Sequence, residues 1–232
     1  INGLGTIYKV DQFGNNFEKV YDFTASSGGN PSAGLTLANG KLYGFTTSEG
    51  TLAPGAIDVF GSFFSFDPIT STFTVIKYLD NLSTIGYVIK DAPLLASNGL
   101  LYGVSESSYE NGSVLGSEKL FSYNPVTGVF NTLYDFNLST GTVQSKLMQA
   151  TNRKIYMTSA DGGFYKRGSI MTYDLTTNAL ATIYVSRGYN NPDPGPNDFE
   201  RAANNPLIQA SNGKIYLASK FGGNGNLGVT SM

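Results

Sequence analysis

The segment Pro93-Leu-Leu-Ala-Ser-Asn-Gly-Leu-Leu-Tyr-Gly103 occurs in four versions along the chain. It returns as Pro31-Ser-Ala-Gly-Leu-Thr-Leu-Ala-Asn-Gly-Lys-Leu-Tyr-Gly44 and as Pro206-Leu-Ile-Gln-Ala-Ser-Asn-Gly-Lys-Ile-Tyr216, with a worn copy at Lys146-Leu-Met-Gln-Ala-Thr-Asn-Arg-Lys-Ile-Tyr156. Each version reads as a strand, a turn and a second strand. Asn-Gly suits a two-residue hairpin, because a type I′ turn requires φ > 0 at both central positions. A hairpin that recurs four times makes a repeat protein, so the architecture follows from one unit stacked on its neighbours.

Three further segments travel with the hairpin. Gly5-Thr-Ile-Tyr-Lys-Val-Asp11 is matched by Gly61-Ser-Phe-Phe-Ser-Phe-Asp67, Lys119-Leu-Phe-Ser-Tyr-Asn124 and Gly168-Ser-Ile-Met-Thr-Tyr-Asp174. A short turn follows at Asp67-Pro-Ile-Thr-Ser71, Asn124-Pro-Val-Thr-Gly128 and Asp174-Leu-Thr-Thr-Asn178. There the Asx side chain caps backbone two residues on, and Pro presets φ. A last strand covers Phe17 to Phe23, Phe73 to Leu79, Phe130 to Phe136 and Leu180 to Val185. The unit is therefore four strands, A to D, with Tyr43, Tyr102, Tyr156 and Tyr216 marking the period. That period exceeds the roughly 40 to 50 residues of common propeller blades, and the excess falls in loops.

Strands such as Phe63-Phe-Ser-Phe66 and Leu100-Leu-Tyr-Gly-Val104 are apolar on both sides of the pleat. A sheet stacked between two neighbours needs this, whereas a sheet facing solvent would alternate. The expected fold is an all-β propeller of four-stranded antiparallel blades; a β-sandwich would not explain a four-strand period kept in register. One propeller region is expected over 1–232: a C–D half blade at 5–23, blades at 31–79, 91–136 and 144–185, and an A–B half blade at 205–220. The two halves either zip into a composite blade that closes a four-bladed ring or belong to a larger ring. Gly225-Asn-Leu-Gly-Val229, which resembles the approach to another C strand, favours the larger ring. Thr142–Ala150 has helical propensity, but register with the other copies makes it strand A.

Composition excludes several classes. A net charge of −2 and a pI near 5.1 argue against a nucleic-acid surface. No apolar window is long enough to span a bilayer. Cysteine and histidine are both absent, which removes disulfides, thiolate metal sites, Ser-His-Asp triads and His metal cages. Ile1-Asn-Gly-Leu-Gly5 has neither the basic start nor the apolar stretch of a signal peptide. The expectation is a mature or partial chain.

The motifs Asn39-Gly-Lys-Leu-Tyr-Gly-Phe-Thr46, Gly-x-Ile/Phe-Phe-x-x-Asp and Phe130-Asn-Thr-Leu-Tyr-Asp-Phe136 resemble the GloVer tandem repeat of bacterial choice-of-anchor proteins, which are similar in layout to kelch-type propellers. The resemblance covers essentially the whole chain. Gly162-Gly163 and Gly222-Gly223 fit the family's Gly-Gly, while Ser48-Glu49-Gly50 and Glu106-Ser-Ser108 depart from it. It implies a secreted or cell-surface protein, and it brings no catalytic residues.

Alternating strands place the tight A–B and C–D turns on one side of each blade and the long B–C and D–A loops on the other. Long loops on a rigid scaffold are where binding sits. The richest loop, Ser186 to Asn205, offers Arg187, Tyr189, Asp193, Asp198, Phe199 and Arg201 as lining for a polar groove, with Tyr189 stacking on a sugar or peptide. Tyr109 and Tyr165 in B–C loops are similar candidates. The expected partner is a protein or a polysaccharide. Asp193-Pro-Asp-Pro and Asp198 supply oxygen ligands compatible with calcium, at a spacing unlike an EF-hand, and no other cofactor is expected. Gly222-Gly-Asn-Gly-Asn-Leu-Gly228 lacks the Lys-Ser/Thr of a phosphate loop. Asn81, Asn111 and Asn137 head glycosylation-type triplets of the sort an Asn- and Ser-rich chain produces by chance. An enzyme reading rests on carboxylates (Glu49, Glu106, Glu110 and Asp161) as in glycosidases, or on Tyr/Arg chemistry as in lyases. Nothing in the sequence sets two of them at a defined separation.

Overall fold

The computed structural model describes residues 3–31, 33–47, 59–80, 89, 91–105, 109–110, 113–114, 118–137, 139–143, 145–187, 199–200, 206–219 and 221–222. At 59–60, 80, 109–110, 113–114, 199–200 and 221–222 it describes the backbone alone. Among the described residues every regular element is a strand. β1 (Thr6–Lys9) pairs with β2 (Glu18–Asp22) as a C–D pair. β3 (Thr36–Ala38), β4 (Lys41–Phe45), β5 (Val59–Asp67) and β6 (Thr72–Asp80) form an antiparallel sheet in chain order. β7 (Leu94–Leu95), β8 (Leu101–Ser105), β11 (Lys119–Tyr123) and β12 (Phe130–Asp135) form a second. A small hairpin, β9 (Tyr109–Glu110) with β10 (Ser113–Val114), is inserted between its B and C strands. β13 (Met148–Gln149), β14 (Lys154–Ser159), β15 (Ser169–Asp174) and β16 (Ala179–Val185) form a third, so Met148 and Gln149 are strand A as register requires. After them come β17 (Phe199–Glu200), β18 (Ile208–Gln209), β19 (Ile215–Tyr216) and β20 (Phe221–Gly222), paired β18–β19 and β17–β20. No helix among the described residues is long and apolar enough to cross a membrane.

The copies agree down to their irregularities. In three C–D pairs the register slips at the same place, between Ile7/Tyr8, Phe63/Phe64 and Ile170/Met171. The extra residue is Val20, Ile76 or Ile183, one aliphatic side chain at each bulge. A bulge bends the strand and increases its twist.

The hairpins correct one expectation. Only the first copy is a two-residue turn, with Asn39 at φ 45° and Gly40 at φ 75°. The third and fourth copies are three-residue loops: Ala150 N bonds Lys154 O at 3.0 Å and Ala210 N bonds Lys214 O at 2.9 Å. In them a type I turn is followed by one left-handed residue, Arg153 or Gly213. The cause is in the sequence: Ala-Ser-Asn-Gly and Ala-Thr-Asn-Arg carry one residue more than Ala38-Asn-Gly-Lys41. The repeated Asn caps the loop. Asn152 Oδ1 accepts from Lys154 N at 3.1 Å and its Nδ2 donates to Tyr156 OH at 2.9 Å, and Asn212 with Lys214 and Tyr216 reproduces both bonds. The C–D turns behave as expected. Asp11, Asp67, Asn124 and Asp174 each accept backbone N–H bonds through Oδ1.

The chain divides into two compact units, Ile1–Leu95 with Gly99–Thr132, and Ala96–Asn98 with Leu133–Met232. In the first unit the core is aromatic. Tyr43, Phe45, Phe63, Phe121 and Tyr123 are buried together with Leu79, Ile89 and Leu101. Tyr43 contacts the Phe63 and Tyr123 rings at centroid distances of 5.9 Å each, and burial raises its hydroxyl pKa first, the Tyr123 hydroxyl second. The strand-B tyrosine is thus packing, not a ligand contact. The glycine after it makes room. A Cβ on Gly103 would lie 2.4 Å from Phe121 Cζ, and one on Gly44 2.7 Å from Phe64 Cζ, because those rings lie across the glycines from strand C. In the second unit Ile155, Met157, Met171 and Tyr173 are the most deeply buried of the large side chains, and Ala150, Tyr156 and Leu207 form a buried cluster.

Candidate functional site

The long-loop side of the second unit is built on a knot of hydroxyls and glycines. Strand β12 ends at Asp135, Phe136 follows, and the chain turns at Asn137 to Gly141. Thr140 Oγ1 accepts from Asn137 N at 2.8 Å and donates to Asn137 O at 3.0 Å, closing the turn. That turn lies against the B–C corner, where Ser159 and Ser169, both fully buried, share a 2.8 Å hydrogen bond. Gly162 has no room for a side chain: a Cβ would lie 2.0 Å from Thr140 O. Gly163 N bonds Ser139 O at 2.9 Å, and Asp161 Oδ1 accepts from Thr142 N and Oγ1 at 2.7 and 2.8 Å. Asp161, a sequence candidate for acid–base work, is therefore a cap.

The first unit repeats this joint. Thr24 to Gly28 turns after Asp22-Phe23, with Thr24 N bonded to Ser27 Oγ at 2.7 Å. Ser62 Oγ donates to Ser27 O at 2.6 Å, and Ser62 N donates to Thr46 Oγ1 at 2.7 Å. Thr46 and Ser62 are fully buried. Buried hydroxyls persist only when bonded, and here each finds backbone or another hydroxyl. The sequence signal is Asp-Phe-Thr/Asn-x-x-Ser/Thr-Gly, visible at Asp22–Gly28 and Asp135–Gly141. The Phe130–Phe136 motif covers only the first half of this signal.

From this base the B–C loop rises between Gly163 and Gly168. Gly163 packs on Val185, where a Cβ would lie 2.4 Å from Val185 Cγ1, and Gly168 N bonds Gly162 O at 3.1 Å. Between them stands Phe164-Tyr165-Lys166-Arg167. Phe164 is 88% exposed and Tyr165 41%, and their rings meet edge to face at 5.1 Å. A phenyl ring left in water at a tip whose base is fixed on both sides is the most exposed apolar feature on the described loops of this unit. Its neighbour Phe164 was not among the sequence candidates, although Tyr165 was.

Arg187 follows the buried Ser186, whose N–H bonds Gly168 O at 2.9 Å. The structure therefore brings Arg187 and Tyr165 to adjoining loops of one blade. Tyr189, Asp193, Asp198 and Arg201 lie outside the described residues, as do Glu49 and Glu106. Phe199 lies in β17, opposite Gly222 of β20. Tyr109 and Glu110 form β9. Among the described residues no group of three or more Asp, Glu, His or Cys is arranged to hold a metal.

On the tight-turn side of the same unit the strand-A glutamines bind successive hairpins together. Gln149 Oε1 accepts from Ser97 N and its Nε2 donates to Ser97 Oγ, both at 2.8 Å. Gln209 Oε1 accepts from Thr151 N at 2.8 Å and its Nε2 donates to Gly213 O at 3.0 Å.

No protein-family model matches this chain, so the GloVer resemblance rests on the quoted motifs alone, and no curated protein matches it. Among solved structures it is similar to the crystal structure of TolB from Acinetobacter baumannii, with a TM-score of 0.50 and 14% sequence identity over 95% of this chain and 44% of that one. The chain thus spans less than half the length of that structure. The likeness concerns fold alone. With the four-stranded antiparallel sheets, it establishes an all-β propeller architecture of about four blades.

Proposed function

We propose that this chain is a non-catalytic binding propeller of a secreted or cell-surface bacterial protein, holding a polysaccharide or protein partner on its long-loop side. The observation that carries the reading is the Phe164–Tyr165 tip on its clamped base. Solvent-exposed aromatic rings stack on the C–H faces of sugars and fill pockets of protein partners, and fixing them beforehand lowers the entropy lost on binding. Arg167 beside them is a residue type that interfaces favour. Arg187 at the root of the adjoining loop extends the same surface. Supporting a binding rather than a catalytic role, Asp161 spends its carboxylate on Thr142. Secretion or surface placement rests on the GloVer motifs.

The test is a screen of the intact chain against soluble polysaccharides by affinity electrophoresis and against envelope proteins on an array, run beside Phe164→Ala/Tyr165→Ala. Retention of one ligand that falls roughly tenfold or more in the double variant supports the reading. Equal retention by both proteins, or none in either class, overturns it.

A further inference from the structure

Arg153 is out of keeping with its repeat. It occupies the left-handed position of its hairpin at φ 63°, where the other copies have Gly40, Gly99 and Gly213. A side chain there brings Cβ against its own carbonyl, a cost glycine avoids. Strain of this kind persists where surrounding structure or function compensates it. The guanidinium forms no hydrogen bond or ion pair with any described residue; its neighbour Lys154 instead faces Asp174 at 3.4 Å.

The Arg153 side chain borders a hollow of ≈ 460 Å³ lined by Ser97, Gln149, Ala150, Thr151, Arg153 and Gln209. That volume lies within the range of small-molecule sites. Beyond the bonds already made, the lining side chains still offer several donors. Gln149 and Gln209 each use one amide hydrogen on Ser97 Oγ or Gly213 O and keep a second. The Ser97 hydroxyl, which accepts from Gln149, keeps its own hydrogen, and Arg153 brings five more N–H groups. Both glutamine oxygens already accept a backbone N–H. No acidic side chain occurs among the lining residues.

The geometry points to an oxyanion site on the tight-turn side, made for a small hydroxylated carboxylate about the size of one sugar acid. The guanidinium fork takes the carboxylate in paired hydrogen bonds, and the glutamine amides and Ser97 take hydroxyls. One unpaired cation matches one negative charge. A phosphate dianion would call for a second cation or a backbone N–H cradle, and Lys154 is turned to Asp174. This site is separate from the Phe164–Tyr165 tip and stands or falls independently of it.

Isothermal titration of the intact chain with glucuronate, glucose and inorganic phosphate tests it, alongside Arg153→Gly and Gln149→Ala. Saturable glucuronate binding is expected, at least roughly tenfold tighter than glucose or phosphate and weakened by salt, as expected for a single charge pair. Arg153→Gly should lose it roughly tenfold or more without a lower melting temperature, since the variant restores the residue of the other hairpins. Gln149→Ala should weaken it less. The proposal is overturned by no saturable glucuronate binding, by glucose binding as well as glucuronate, by phosphate binding as tightly, or by unchanged binding in Arg153→Gly.

Discussion

The two ends of the third blade differ in how their residues are explained. On the tight-turn side most of the loop's bonds are repeat rules: Asn152 repeats Asn212, and the Gln149 side-chain oxygen repeats that of Gln209 in accepting a backbone N–H from the preceding hairpin. There the informative residue is the one that breaks the rule, Arg153. On the long-loop side the base is a repeat rule and the tip is not. Ser159, Ser169 and Thr140 echo Thr46, Ser62 and Ser27, whereas the sequence Phe164-Tyr165-Lys166-Arg167 is not repeated in the other copies. There the informative feature is apolar exposure above a fixed base. A repeat scaffold thus separates residues that hold it together from residues free to do something else.

The comparison breaks most sharply at glycine. Gly162→Ala should destabilise the protein by about 3 kcal/mol or prevent folding, because its Cβ would lie 2.0 Å from a backbone carbonyl oxygen. Gly213→Ala, with open space around its Cβ but φ 78°, should cost only about 1 kcal/mol of left-handed strain. Urea melts of the two variants measure the difference. Equal losses would mean that the joint yields as easily as a turn.

Next in size are Arg153 and the tip. Phe164→Ala and Tyr165→Ala should change stability by no more than about 0.5 kcal/mol, as surface changes do. A larger loss by thermal melt would make the pair a packing element. Arg153→Gly should go the other way, gaining about 0.5–1 kcal/mol by relieving the left-handed residue. A loss in urea unfolding would mean that Arg153 is structural.

The smallest effect is in the C–D turns. Backbone N–H bonds, from Thr70 and then Ile69 for Asp67 and chiefly from Thr176 for Asp174, hold these carboxyls below their usual range. A folded pKa below the unfolded one contributes stability that is present above the unfolded value, about 3.9 for Asp, and is lost as pH falls through the folded value. Asn124 caps the same turn without charge. Asp67→Asn/Asp174→Asn should therefore flatten the stability profile below about pH 4. An unchanged acid limb would show that these caps do not couple to folding.

Much of the fold was legible because it is written four times. Phe63-Phe-Ser-Phe66 announced a strand buried on both faces, and Asp67-Pro announced its turn. Met148-Gln149 was placed as strand against its helical propensity by register alone. The hairpin type was misread because one residue, Ser97, Thr151 or Ser211, separates the three-residue loops from the two-residue one. A motif centred on Asn-Gly hides that insertion. The site was less legible. Tyr165 and Arg187 are candidates because of the loops they lie on, whereas Phe164 and Arg153 stand out only through exposure and φ, which have no periodicity to read.

The central claim is that the long-loop side binds through its aromatic tip. Its most direct measurement is the ratio of dissociation constants, wild type against Phe164→Ala/Tyr165→Ala, for the best ligand of the screen. A roughly tenfold or greater weakening with an unchanged melting curve is the predicted result. Equal affinity in the two proteins would contradict it and move the search for function away from this face.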